Sequence, residues 1–263
     1  MKHKVVCGIT TKNEEWIIDL TLSSVLSYCD TIVVYDDGSD DRTEEICRSY
    51  NNVVWEVRPL HDPHKREEAK QRLELLKLLG KQDPEYVLLL DADEIPTPSV
   101  VNFINTIDTN VDLWRTRMIN LWEDESKYRV DNFTTKYGTT VNWDPFGDNA
   151  WVKHILMKFD PQKTYQYRLY VSNGGCSQYH PAPENPGDVV KKQDCFYTIH
   201  YGKLAESHLD GSGHVIRARW DANGGKGSFE ERLAWHIEHN KKDFLEIKKT
   251  KPSWFWRGDI NYD

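Results

Sequence analysis

The chain has 263 residues, of which 38% are hydrophobic and 29% charged, and its formal net charge at pH 7 is −8. This length can bury the core of one α/β domain, and the negative charge argues against a general nucleic-acid-binding surface. No apolar run approaches the roughly 18–20 residues that span a bilayer, and no apolar leader precedes the first predicted strand, so we expect neither a transmembrane helix nor a secretory signal.

The N-terminal segment predicts a strand followed by a helix. Val5–Ile9 is a short apolar run typical of a buried strand. After the polar turn Thr10–Glu15, we predict a helix from Glu14 to about Tyr28 with Asn13 as its N-cap. The apolar side chains of this segment recur at helical spacing, at Ile18, Leu22, Val25 and Cys29.

A second strand and an acidic turn come next. Thr31–Tyr35 is again apolar, and it runs into the sequence Asp-Asp-Gly-Ser-Asp-Asp. Asp40 or Asp41 is expected to cap a short helix. Glycine and serine favour a tight turn, which would allow Asp36 or Asp37 to face a ligand.

The third predicted strand ends in a cluster of acids. Tyr86–Leu90 is predicted as a buried strand, and Asp91, Asp93 and Glu94 follow it. In an open α/β sheet, ligands bind at the carboxyl ends of the strands. Two carboxylates one residue apart on an extended chain point to the same side, which suits a hard divalent cation that also holds substrate phosphates. The alternative is a solvated turn after the strand.

The alternation of strands and helices predicts an α/β fold whose first half resembles half of a doubly wound sheet. A further helix begins at Thr97-Pro98 and a strand is predicted near 111–121. Residues 136–151 and 173–188 are rich in residues that favour loops, and we expect such loops to hold an acceptor.

A capping box at Ser228 and Glu231 predicts a C-terminal helix that runs to about Ile247. The five cysteines have no paired spacing, which indicates reduced thiols and a cytoplasmic protein. The sequence does not indicate an oligomeric state.

Three segments at the predicted strand ends resemble a known family in their order and spacing. Thr10–Glu14, Tyr35–Ser39 and Leu90–Glu94 look like the nucleotide-sugar half of GT-A glycosyltransferases, most of all the inverting glycosyltransferase family two. The resemblance covers roughly the first hundred residues. It implies a Rossmann-like mixed sheet flanked by helices, with an irregular acceptor-side second half and a C-terminal helix.

The same resemblance implies roles for individual residues. The third segment corresponds to the family's DXD motif, in which Asp93 binds Mn²⁺ or Mg²⁺ and Asp91 lies near the ribose or the metal. Lys70 falls where these enzymes often place a basic residue near the base or phosphate, with Arg66 as a less favoured candidate and a solvated helix face as the alternative. The expected nucleotide-binding residues are Thr10, Asn13, Asp37, Lys70 and Asp91.

The second half must supply a catalytic base, because an inverting transfer removes a proton from the acceptor hydroxyl. The family's usual Glu-Asp pair is absent, so the base stays open among Asp148, which we favour, Asp144 and Glu184. His200 resembles the histidine that completes the metal shell in many GT-A enzymes, and His180 is the other candidate. A core or hydrogen-bonded histidine is the alternative for His200.

The resemblance implies one domain over residues 1–263. Its parts are a nucleotide-sugar-binding half over 1–110, an acceptor and catalytic half over 111–215 and a helical segment over 216–263. Trp122, Trp143 and Trp151 could line an acceptor groove, whereas core packing is the better interpretation for Trp16, Trp55 and Trp114. Trp254 and Trp256 could cover the core, line the acceptor site or meet a partner.

The function implied is metal-dependent transfer of a sugar, with inversion, from a nucleotide-sugar to a hydroxyl acceptor in glycan biosynthesis. UDP-sugar is the expected donor and a glycan the expected acceptor. One alternative is a sugar nucleotidyltransferase, although the first loop lacks the Gly-rich, Arg-bearing sequence that holds a triphosphate. The other alternative is a non-catalytic carbohydrate-binding protein that retains the fold.

Overall fold

The computed structural model describes residues 3–59, 68–134, 140–147, 152–171, 177–184, 191–206, 210, 212–213, 218, 227–239 and 247–249. Across this part of the chain the fold is a ten-stranded mixed sheet with helices on both faces, together with two separate two-stranded sheets. None of the helices described is long and apolar enough to cross a membrane.

The helices and strands follow the chain in this order. The helices are α1 (Ile18–Val25), α2 (Thr43–Arg48), α3 (Glu68–Gly80), α4 (Ser99–Asn105) and α5 (Phe229–His239). The strands are β1 (Val5–Thr11), β2 (Thr31–Asp36), β3 (Val53–Val57), β4 (Tyr86–Asp91), β5 (Glu94–Pro96), β6 (Leu113–Trp122), β7 (Asp124–Arg129), β8 (Asn132–Thr134), β9 (Thr140–Asn142), β10 (Val152–Lys158), β11 (Tyr165–Val171), β12 (Ser177–Pro183), β13 (Lys191–His200) and β14 (Ile247–Lys249).

The large sheet has the order β14-β7-β6-β10-β4-β1-β2-β3, and β13 pairs with β5 and β6. Strands β3, β2, β1 and β4 are parallel, so their carboxyl ends meet at one edge, which we call the carboxyl edge. Strand β10 is antiparallel to both β4 and β6, and β13 is parallel to β6. Consequently β6 and β13 run in the direction of β4, and their ends also lie at the carboxyl edge.

The helices bury the two faces of the parallel strands. On one face, α1 and α4 pack through side chains such as Ile18, Leu22 and Ile104, and on the other α3 packs through Leu75 and Leu79. Because these strands are covered on both faces, their sequences are nearly continuous apolar runs rather than alternating ones. The α/β class predicted from those runs is confirmed.

Glycine at position 8 allows α3 to lie unusually close to β1. A Cβ atom at Gly8 would lie 2.7 Å from Leu79 Cδ1 and 3.1 Å from Leu75 Cδ2. Real Cβ atoms essentially never approach another heavy atom within 3.0 Å. The separation between the strand and the helix therefore depends on the missing side chain.

Helix α1 is shorter than predicted and begins at Ile18 rather than at Glu14. Asn13 does not cap it, because this residue has a left-handed φ of 55° and its amide bonds across to the next loop. Asn13 Nδ2 donates to Asp40 Oδ1 over 2.7 Å, and the Asp40 backbone N–H donates to Asn13 Oδ1 over 2.9 Å. Asn13 therefore ties the loop after β1 to the loop after β2.

The second half contains more regular structure than the loop-rich sequence predicts. Strands β9 and β12 lie within segments that we expected to be irregular, and β11 and β12 form a hairpin of their own. The capping box is present, with Ser228 N–H donating to Glu231 Oε2 and Glu231 N–H donating to Ser228 Oγ. The helix that it begins does not reach Ile247, which lies in β14.

The tryptophans expected in the core divide into three cases. Trp114 is fully buried and packs edge-on against Tyr86 and Phe103, as predicted. Trp55 is partly buried against the core. Trp16 is 42% exposed, so the core interpretation is wrong for this residue.

Candidate functional site

Strands β1 and β4 bring their polar ends together at the carboxyl edge. In the sheet register, Thr10 has Asp91 as its Cα partner on β4 and Tyr35 as its partner on β2. Thr10 Oγ1 donates a hydrogen bond to Asp91 Oδ1 over 3.0 Å. Two of the predicted nucleotide-binding residues thus contact each other directly.

The Asp91 carboxylate is held by two buried cations from different elements. Arg72 of α3 donates from Nη2 to Asp91 Oδ1 over 2.6 Å, and Lys153 of β10 donates from Nζ to Asp91 Oδ2 over 2.8 Å. Lys153 Nζ also lies 2.5 Å from Glu94, whose carboxylate accepts the Asp91 backbone N–H. The side chains of Lys153 and Glu94 are 4% and 3% exposed, so this ion pair is buried next to Asp91.

These contacts change two of the predicted assignments. Both oxygens of Asp91 accept hydrogen bonds from protein groups, so the geometry does not favour Asp91 as a metal ligand. The basic residue of α3 that reaches the site is Arg72, whereas the Lys70 side chain is exposed. Helical geometry explains the difference, because residues two apart on a helix face in different directions. Arg66 lies outside the described residues.

Asp93 and His200 meet at the same edge. His200 Nε2 lies 3.3 Å from Asp93 Oδ2, and the Tyr201 backbone N–H donates to the Asp93 carbonyl over 2.9 Å. Burial raises the pKa of Asp93, but the charge and hydrogen bond of His200 outweigh it, and the net pKa shift is downward. The other ring nitrogen, Nδ1, lies 2.8 Å from Asn120 Oδ1 on β6.

Gly202 places no side chain beside this pair. A Cβ atom at residue 202 would overlap Asp93 Oδ2 and would lie 2.9 Å from His200 Nε2. One carboxylate oxygen and one imidazole nitrogen therefore border a small cradle. Within the described residues no group of three or more His, Cys, Asp and Glu side chains is arranged to hold a metal ion.

This donor set fits a divalent cation that takes few ligands from the protein. Mg²⁺ and, by similar chemistry, Mn²⁺ are often bound through one or two carboxylates, with substrate phosphates and water completing the shell. Carboxylate suits both ions and imidazole is a reasonable additional donor. Asp93 and His200 are the residues that could hold such an ion.

Glu14, which was not singled out from the sequence, faces the same acids. Its pKa is raised from 4.5 to about 8, first because the carboxyl group is buried and then because it lies near Asp93 and Asp91. Trp16 Nε1 donates to its Oε2 over 2.7 Å and partly opposes the increase. The loop after β1 thus contributes a further carboxyl group to the acidic cluster.

The second loop places Asp37 against a buried arginine. Arg58, directly after β3, donates from Nη1 to Asp37 Oδ1 over 3.0 Å, and its Nε lies 3.6 Å from Glu74 of α3. The neighbouring Asp36 does not face a ligand, because its carboxylate accepts the backbone N–H groups of Gly38 and Ser39. Of the two acids that the sequence left open, Asp37 is thus the one whose carboxylate does not close the turn, and the prediction of a ligand contact rests on it.

The three candidates for the catalytic base have different surroundings. Asp144 accepts the Phe146 backbone N–H over 3.0 Å, so it closes a turn. The Glu184 backbone N–H donates to the Thr164 carbonyl, near the amino end of β4. Since β4 has six residues at about 3.3 Å each, that end of the strand lies roughly 20 Å from Asp91, so the position of the Glu184 backbone does not favour Glu184 as the base. Asp148 lies outside the described residues.

Two of the tryptophans proposed for an acceptor groove enclose an arginine. The guanidinium of Arg129 lies 4.9 Å from the ring centres of both Trp122 and Trp143, and it pairs with Asp131. These rings therefore have one face occupied by Arg129. Trp151 and the side chain of His180 lie outside the described part of the chain.

Several residues of this site could not be found from sequence motifs. None of the three motif segments contains Arg58, Arg72 or Lys153, and no motif marks the sequence around these residues. Helical spacing was the available signal for Arg72. Asn120 and Lys153 become recognisable only when the pairing of β6, β10 and β13 is known.

Removing the buried ammonium group of Lys153 should destabilise the fold. We expect Lys153→Met to lower the free energy of unfolding by about 3–5 kcal/mol, because Glu94 would keep an uncompensated buried charge. Adding Glu94→Gln to this variant should restore part of the loss. Urea denaturation measures both effects. Lys127→Met is the matched control, since the ion pairs of Lys127 lie at the surface, where solvent screens them. Equal stability of the Lys153 variant and this control would contradict the expectation.

The raised pKa of Glu14 predicts a pH dependence of stability in the metal-free protein. Between pH 4.5 and about 8 the folded state keeps a proton on Glu14 that the unfolded state releases. Because the folded state binds more protons, the contribution of this group to the free energy of unfolding falls as the pH rises. Measured by denaturation across this range, the free energy of unfolding should fall less with pH in Glu14→Gln than in the wild type. The control Glu15→Gln, at the neighbouring exposed position, should show the same pH dependence as the wild type. If the pH dependence of the free energy of unfolding is the same in Glu14→Gln as in the wild type, the raised pKa of Glu14 is refuted.

Comparisons with known proteins bear on the identity of this fold. The model of the family described as Glycosyl transferase family 2 matches residues 7–180. No curated protein is significantly similar to the chain. Among solved structures, S. aureus TarS is 22% identical and is matched over 49% of this chain and 25% of its own, with a TM-score of 0.38. TarS 1-349 is 16% identical over 82% of this chain and 65% of its own, with a TM-score of 0.44.

A third solved structure comes from Mycobacterium tuberculosis. Its glucosyl-3-phosphoglycerate synthase, in complex with Mn²⁺, uridine diphosphate and glucosyl-3-phosphoglycerate, is 18% identical over 45% of this chain and 44% of its own, with a TM-score of 0.34. The chain thus spans 25% to 65% of the length of these structures. The family model covers well over half of the chain, including the ends of β1, β2 and β4. The chain belongs to glycosyl transferase family 2.

Proposed function

We propose that this protein is a metal-dependent glycosyltransferase that moves a sugar from a UDP-sugar to a hydroxyl group of a glycan, with inversion at the anomeric carbon. The observation that carries the proposal is the meeting of Asp93 with His200 at the carboxyl edge, next to the held carboxylate of Asp91. In a family 2 chain, this edge is where a nucleotide-sugar would bind.

The nucleotide would lie across the ends of β1, β2 and β4. Asp37, oriented by Arg58, would accept a hydrogen bond from the imide N–H of uracil, with Thr10 near the ring. Asp91 would accept a hydrogen bond from a ribose hydroxyl, since Arg72 and Lys153 hold its carboxylate in place. These residues bind and orient the donor.

Asp93 and His200 would hold Mn²⁺ or Mg²⁺ beside the diphosphate. When bound, the ion would act as a Lewis acid that stabilises the charge on the departing diphosphate, an effect worth several kcal/mol. Gly202 would leave room for the ion, because any larger residue would enter the cradle.

The acceptor hydroxyl would attack the anomeric carbon while a carboxylate takes its proton. Asp148 is our first candidate for this base, and Asp144 in the same segment is the second. This segment packs on the strands that lead to the site, because Arg117 of β6 donates to the carbonyls of Pro145 and Gly147 and Phe146 contacts Tyr197 of β13. A positioned carboxylate base typically accelerates such a step by about 10²–10⁴-fold.

Two other functions are less well supported. A sugar nucleotidyltransferase needs a glycine-rich phosphate loop after the first strand, whereas the loop here carries Asn13, tied to Asp40, and the acid Glu14. A non-catalytic carbohydrate-binding protein would have no need to bind a nucleotide with a metal, and turnover of UDP-sugars distinguishes this case.

The metal assignment predicts that UDP binding depends on Mn²⁺ or Mg²⁺. Asp93→Asn should weaken metal-dependent binding, because a neutral amide is a poor ligand and removes the negative charge that faces the cation. Titration calorimetry with UDP in Mn²⁺, in Mg²⁺ and in EDTA measures this. Asp160→Asn is the control, since Asp160 lies at the opposite edge of the sheet, near Tyr165. Equal UDP affinity in the presence of Mn²⁺ or Mg²⁺ and in EDTA would contradict the metal assignment.

The position of Asp37 predicts selectivity for uracil. Cytosine presents an unprotonated acceptor where uracil has its imide N–H, and an unpaired buried polar group costs about 1–3 kcal/mol. UDP should therefore bind at least about tenfold more tightly than CDP, and Asp37→Ala should reduce this ratio. Competition binding of both nucleotides measures the ratio. Glu45→Ala on the following helix is the control, since Glu45 is exposed and pairs with Arg42. A preference of the wild type for CDP would contradict the assignment.

A further inference from the structure

Asn120 lies beside His200 through the pairing of two parallel strands. The two residues are Cα partners in the register of β6 with β13, so they share one position along the sheet. Asn120 is 1% exposed, and its Oδ1 lies 2.8 Å from His200 Nδ1. The contact is therefore built into the sheet and does not depend on a loop.

The direction of this hydrogen bond determines what the other ring nitrogen can do. A carbonyl oxygen can only accept, so His200 Nδ1 carries the hydrogen and donates it to Asn120. Nε2 is then the nitrogen whose lone pair can bind a cation. It is also the nitrogen that lies 3.3 Å from Asp93 Oδ2 and next to the cradle at Gly202.

The amide nitrogen of Asn120 indicates that the residue is not present for packing. Its Nδ2 is buried and has no hydrogen-bond partner within the described part of the chain. Leaving such a group unpaired costs about 1–3 kcal/mol. The residues on either side, Ile119 and Leu121, are buried and apolar. A residue of that kind would fill position 120 at lower cost, but it would not offer an oxygen to His200.

We propose that Asn120 is a positioning residue that fixes the ring orientation and tautomer of His200, so that Nε2 and Asp93 can hold a divalent cation together. The inference rests on the metal site proposed above and assigns a new residue to it. Partners that accept the second N–H of a ligating histidine typically affect metal affinity by about 10–100-fold.

Three variants separate this role from a merely structural one. Asn120→Leu keeps the size but removes the acceptor, so Mn²⁺-dependent UDP affinity should fall by about 10–100-fold. Asn120→Asp retains an oxygen acceptor and should keep the affinity within a few fold of the wild type. Thr116→Val removes another buried hydrogen bond of β6, to the Phe196 carbonyl, and should leave the affinity unchanged whatever its stability. UDP affinity in EDTA should be the same in all four proteins.

A second measurement tests the role of Asn120 without any metal. Nitrogen-15 NMR of the histidine rings should find a proton on His200 Nδ1 in the wild type, and this proton should lose its protection from exchange in Asn120→Leu. An unprotonated Nδ1 in the wild type, or Mn²⁺-dependent affinity in Asn120→Leu equal to that of the wild type, would overturn the proposal. A wild type with the Nδ1 proton but no Mn²⁺ dependence would refute the proposed metal use and leave the positioning of His200 supported.

Discussion

The site depends on the ion pair between Lys153 and the carboxylates of Asp91 and Glu94. Strand β4 and the turn after it place three acids within four residues, and such a cluster is unfavourable unless cations balance it. Lys153 can supply its charge because β10 inserts antiparallel beside β4. Strand β10 belongs to the second half of the chain. The charge of these acids is therefore balanced in part by a residue from the second half of the chain.

The other acids of the edge are also held by groups from elsewhere in the fold. Arg72 comes from α3, Arg58 follows β3, and His200 ends β13. Each is paired with an acid of this edge, so the charges have a fixed arrangement. Together with the bonds between Asn13 and Asp40, which join the first two loops, these pairs hold the ends of β1, β2 and β4 in one arrangement.

The sequence predicted the first half of the fold well because its buried parallel strands are continuous apolar runs and their ends carry polar residues. That reasoning led to Asp91, Asp93 and one of Asp36 and Asp37, and the family resemblance added Thr10 and favoured Asp37. The structure brings Thr10, Asp37, Asp91 and Asp93 to one edge.

The second half was harder to predict. Strand β9 has only three residues and β12 contains Pro181 and Pro183, so the segments around these two strands resembled loops. The partners of the acids depend on long-range pairing, which no local pattern encodes. Lys153 and Asp91 are 62 positions apart. Asn13 was misassigned as a helix cap for a related reason, because its partner is in the neighbouring loop.

The close packing of α3 on β1 at Gly8 links the interior of the sheet to its edge. Leu75 and Leu79, which press against Gly8, lie one and two turns along the same helix from Arg72. A bulkier residue at position 8 would have to displace these two leucine side chains, which lie on the helix that carries Arg72. Position 8 in the interior is thus tied by packing to the helix whose guanidinium holds Asp91 at the edge.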